Sequence, residues 1–165
     1  MSDHYEVDRS LAHASALPLM RRNFFWDVAD EQAPFGSDEG HAALVEYREW
    51  QAENPDADLK EHLSFVESWF TGDDYWTHLA LPAGLLLAPL QAWSSYENES
   101  ETRDLSVIAA ALGHLMDRGY LSPSARKIAL VAAKRQRRVS FFRGLSAFSR
   151  ARAVARAIRS APSST

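Results

Sequence analysis

The stretch DLSVIAAALGHLMDRGY, residues 104–120, constrains the fold most. Leu105, Ile108, Ala109, Leu112, Leu115 and Met116 recur at the i, i+3, i+4, i+7 spacing of one helical face. Gly119 stands where a helix C-terminus takes a left-handed cap. No other stretch answers it with the sustained alternation of a half-buried strand. The pattern predicts an all-α, compact multi-helix domain of five to seven helices.

The remaining segments fit that reading. Asp8–Arg22 allows a short helix ending near Pro18, and NFFWDV is a short strand or an extended arm. A helix is expected from Ser37 or Asp38 to about Asn54, where Pro55 stops it. Asp58 and Glu61 have capping-box spacing ahead of an apolar face of Leu59, Leu63, Val66 and Phe70. TGDDYW reads as a turn, residues 77–96 as a buried, interrupted helix, and ENESETRD as a polar loop. Ser122 and Pro123 open another helix. LSAFSRARAVARAIRSA makes a basic amphipathic C-terminal helix, with Phe148, Ala151, Val154, Ala155 and Ile158 on one face, and PSST a frayed end.

Charge divides the chain more sharply than its net −4 suggests. Residues 1–118 hold all 22 acidic residues and 7 Lys/Arg, a formal −15, whereas residues 119–165 hold 11 Lys/Arg and no acid. The expected organisation is an acidic helical domain over 1–138 and a basic helix with a short disordered end over 139–165, packed on the body or reaching an anionic partner. At 165 residues the chain can bury a full core. It has no cysteine, which excludes disulfides, thiolate metal sites and thiol nucleophiles and suits a reducing cytoplasm. The opening MSDHYEVDRSLAHAS has no signal-peptide core. Leu79–Leu90, broken by Pro82, Gly84 and Pro89, makes no transmembrane segment.

Catalytic signatures are sparse. The chain has no Gly-x-Ser-x-Gly elbow and no glycine-rich phosphate loop. The six histidines include no pair at ligand spacing, and His114, off the apolar face of its helix, is expected to be solvated. Asp27, Asp30, Glu31, Asp38, Glu39 and His41 are of the types that bind hard cations, but their spacing matches no known cage. Helix capping and loop shaping explain them as well. No cofactor and no metal is therefore assigned.

Five tryptophans offer the other signal. Core packing accounts for most of them. Trp26 stands beside Asp27, Asp30 and Glu31, and Trp76 close to Asp73 and Asp74, so aromatics rimmed by acids would suit a basic protein partner. The leading expectation is a non-enzymatic, protein-binding module with an acidic surface, of the kind an immunity protein presents to a basic toxin. The alternative is nucleic-acid binding through the basic C-terminal region, with Arg135, Arg137, Arg138, Arg143, Arg152 and Arg156 on phosphates.

Residues 13–55 resemble the opening of the YfeS-like (MolR-type) bacterial proteins. The positions that carry the likeness are His13, Phe25, Trp26, Asp27, Pro34, Phe35, Gly36, Ser37, Asp38, Gly40 and Trp50. The resemblance covers about a quarter of the chain and implies a small bacterial cytoplasmic protein with no catalytic residues to carry over. It suggests that Pro34, Phe35, Gly36, Ser37 and Asp38 form a structural turn and cap, with Phe35 plugging the core.

Overall fold

The computed structural model describes residues 7–68 and 101–163. Among these residues there are five α-helices and one short 3-10 turn, with no strand: α1 Asp38–Glu53, α2 Leu59–Ser68, α3 Glu101–Arg118, α4 Pro123–Arg143 and α5 Leu145–Ser160. The expected turn TGDDYW and the expected interrupted helix after it lie outside the described residues.

The centre of the fold is α3. Every residue from Val107 to Met116 is buried, so the helix is enclosed on all sides rather than along one stripe. α1 and α4 both pack on it, α5 packs on α4, and α2 lies against α3 and α4. Small residues permit this. A Cβ on Gly113 would come within 2.6 Å of Leu44 Cδ1, so its absence lets α1 approach α3 closely. From Glu101 on, the second half of the expected polar loop ENESETRD is already helical, and the helix gives way at Gly119, whose φ of +82° is the left-handed cap expected there.

Local signals set most of the boundaries. Ser37 Oγ accepts the Gly40 N–H at the start of α1, and Ser122 Oγ accepts the Ala125 N–H at the start of α4. Asp58 Oδ1 accepts the Lys60 N–H as α2 opens. Three expectations need correction. Residues 8–22 form successive turns instead of a helix, with the His13 N–H donating to Met116 O at the end of α3. NFFW is a 3-10 turn over Asn23–Trp26. The C-terminal end is held and not frayed as far as Ser163: the Leu121 N–H donates to Pro162 O at 2.9 Å, and Arg126 donates to Ala161 O and Ser163 Oγ.

α4 continues through position 138 to Arg143, so the expected division between 138 and 139 falls inside one helix. α5 then folds back on α4 and also reaches the N-terminal region. Arg150 pairs with Asp30, and Arg22 Nη1 donates to the backbone and hydroxyl oxygens of Ser149, each at 3.0 Å.

Candidate functional site

The segment from Phe24 to Gly40 is a wound loop whose polar groups mostly serve its own shape. Phe24 and Phe25 stack at 4.3 Å and are buried. Trp26 is half-buried, its Nε1–H donates to Met20 O at 2.8 Å, and the Arg9 guanidinium lies over its ring. Asp27 Oδ1 accepts the Ala29 N–H and Asp30 Oδ1 accepts the Gln32 N–H, two side-chain-to-backbone turns. The backbone hydrogen bond and the Arg150 guanidinium hold the Asp30 carboxyl below its ordinary value.

The expected turn and cap sit in this loop. Phe35 is buried, Pro34 and Gly36 are half-buried, Ser37 caps α1 and Asp38 opens it. A Cβ on Gly36 would meet Asp30 O at 2.0 Å, and one on Gly40 would meet Pro34 O at 2.0 Å. Two glycines therefore let the loop close on itself. Of the expected partner-binding residues, Asp27 and Glu31 are exposed, while Trp26 and Asp30 are engaged as described. Asp73, Asp74 and Trp76 lie outside the described residues.

A second acidic feature was not singled out in the sequence. Asp38, Glu46, Glu49 and Glu53 follow one another at helical spacing and are all exposed, and Asp56 extends the row beyond the helix. Burial and then the neighbouring charge of Glu49 raise the Glu46 carboxyl above its ordinary value. Its sequence signal is the i, i+3, i+7 recurrence of Glu46, Glu49 and Glu53.

The basic residues of the C-terminal region divide between core and surface. Arg135 is buried, with Nε donating to Asp104 Oδ2 at 2.7 Å and Nη2 to Asp104 Oδ1. Arg143 donates to both carboxylate oxygens of Glu101, at 2.5 and 3.0 Å. Arg137 and Arg138 are half-buried, whereas Arg152 and Arg156 are exposed.

A polar cluster also lies within the core, where Tyr47 of α1 meets His62 of α2 and His114 of α3. A hydrogen bond of 3.1 Å joins the Tyr47 hydroxyl to His114 Nδ1. His62 packs 5.1 Å from the Trp50 ring, and among the described residues neither of its ring nitrogens has a hydrogen-bond partner. Burial pushes both histidines down to about 4, so both are neutral at physiological pH. His114, expected to be solvated, is thus a core residue. The enclosure of α3 on every side overrides its position off the apolar stripe.

Among the described residues no group of three or more His, Cys, Asp or Glu is placed to hold a metal ion, and no helix is long and apolar enough to cross a membrane. No family model, curated protein or solved structure matches the chain.

Proposed function

We propose that this chain is a non-enzymatic protein-binding module whose acidic face engages a basic protein surface, in the manner of an immunity protein, in the bacterial cytoplasm. The observation that carries the reading is the exposed row Glu46, Glu49 and Glu53 on α1, in which Glu46 feels the charge of Glu49. Like charges held side by side raise the free energy of the isolated chain, and a cationic partner surface relieves that cost as it docks. Asp27 and Glu31 on the preceding loop add exposed acids to the same half of the chain. Membership of the YfeS-like family is part of the same proposal, supported by the Pro34–Asp38 turn motif.

The test is affinity capture from native bacterial lysate with the full chain and with a Glu46→Lys/Glu49→Lys/Glu53→Lys variant, after nuclease treatment. The expected result is one basic protein retained by the parent chain, released by salt and lost from the variant. Equal retention by both chains would overturn the assignment of this face.

A further inference from the structure

The turn between α4 and α5 carries the largest apolar exposure among the described residues. Phe141 is 63% exposed, Phe142 57% and Leu145 88%. A folded chain seldom leaves side chains as large as Phe141 and Leu145 this open without an apolar environment to receive them. The rings are ordered by one another: Phe141 meets Phe142 edge-on at 5.4 Å and Phe148 of α5 at 5.7 Å. Gly144 makes the corner at φ +115°, with open space around its α-carbon.

Basic side chains run away from this apex along both helices. On α4, Lys134 and Arg138 precede Phe141 at helical spacing. On α5, Arg152, Arg156 and Arg159 follow Leu145 and Phe148 at helical spacing, and all three are exposed. The Arg152 guanidinium lies over the Phe148 ring, which joins the basic row to the aromatic apex. Neither helix contains an acidic residue. Among the described residues, Glu101 pairs with Arg143 at the end of α4.

We propose that the α4–α5 corner is a docking surface for an anionic lipid bilayer, with Phe141 and Leu145 entering the headgroup–acyl boundary and Lys134, Arg138, Arg152, Arg156 and Arg159 resting on lipid phosphates. The chemistry favours lipid over nucleic acid. Leu145 is the most exposed of these residues, and an aliphatic side chain neither stacks on a base nor binds a phosphate, whereas it partitions readily into a bilayer interface. Apolar tips in front of basic flanks are the arrangement that gives a peripheral protein two weak anchors acting together, each basic residue contributing about fivefold in partitioning to an anionic surface.

The test is co-sedimentation of the full chain with vesicles of phosphatidylcholine alone and of phosphatidylcholine mixed with phosphatidylglycerol. The expected result is binding to the mixed vesicles only, weakened by salt. Leu145→Glu should lower partitioning at least about tenfold with unchanged far-ultraviolet circular dichroism, since the side chain contributes almost nothing to the core. Arg152→Glu/Arg156→Glu should lower it by a similar factor. No binding to the mixed vesicles would overturn the proposal, as would binding that Leu145→Glu leaves intact. Tight binding to a single-stranded oligonucleotide without vesicle binding would reassign the surface to nucleic acid. A dimer in sedimentation velocity that Leu145→Glu dissociates, with no vesicle binding, would reassign it to a second copy of the chain.

Discussion

Asp104 and Arg135 close on each other inside the protein, two hydrogen bonds running from one guanidinium to one carboxylate across the interface of α3 and α4. Both residues are buried. A buried pair of this geometry is worth little relative to apolar residues of the same shape, but removing one partner strands the other charge out of water. Asp104→Ala should therefore destabilise the fold by about 3–5 kcal/mol. The double substitution Asp104→Leu/Arg135→Met should recover most of that loss. Urea unfolding of the three proteins measures both, and a double variant as unstable as the single one would show that the pair itself carries the stability.

The buried histidines set the response to acid. His62 and His114 titrate near 4 in the folded protein against 6.5 in the open chain, because burial disfavours their charged forms. The unfolded state thus binds more protons between those values. The stabilisation is complete above pH 6.5 and is lost as pH falls toward 4, by up to about 3 kcal/mol per histidine. Unfolding midpoints measured from pH 7 to pH 4 should fall steadily. His62→Phe should flatten the slope by roughly half, whereas an unchanged slope would place the acid sensitivity elsewhere.

The same cluster marks the limit of what the sequence discloses. Ser37, Ser122 with Pro123, and Gly119 act on neighbours within four residues, so their roles were legible at once. The apolar stripe of α3 was legible too. That the helix would be covered on its other sides was not, because this depends on where α1, α2 and α4 come to lie. His114 and Arg135 consequently look like surface residues in the sequence and are buried in the fold. Arg135 finds its acid 31 residues away, and Arg150 finds Asp30 at a separation of 120, distances over which no local pattern speaks. From the sequence, Trp26 is expected on a partner surface. Its indole N–H is committed to Met20 O, a contact fixed by the 3-10 turn that the sequence left undecided.

Glycine positions should separate steric from conformational cost. At Gly36 a methyl group would run into the Asp30 backbone oxygen at 2.0 Å, so Gly36→Ala must displace the loop that holds Asp30 against Arg150. A loss of about 1–3 kcal/mol is expected, as for other forced overpacking. At Gly144 nothing stands in the way, and only the positive φ resists a side chain. Gly144→Ala should cost about 1–3 kcal/mol, from backbone strain alone, because φ +115° with ψ 169° is a conformation open almost only to glycine. Thermal unfolding of both variants measures the two costs, and a Gly144 variant as stable as the parent would show that its positive φ carries no strain.

Glu46 offers the reverse pH dependence to the histidines. Its carboxyl titrates above the ordinary value of 4.5, first because of burial and then because of Glu49. An acid raised in this way binds its proton more tightly in the folded state, so its ionisation costs stability as pH climbs through the interval above 4.5. The side chain is substantially open to solvent, which screens the effect. Glu46→Gln should then stabilise the protein by about 0.2–0.5 kcal/mol at pH 7 and by nothing once pH falls below 4.5, where both states are protonated. Paired urea titrations of parent and variant at the two pH values test this directly. The same variant should bind a basic partner more weakly, because the charge that strains the free chain is the charge offered to that partner. Gain of stability without loss of binding would mean that the outward row of α1 is only a solvated helix face.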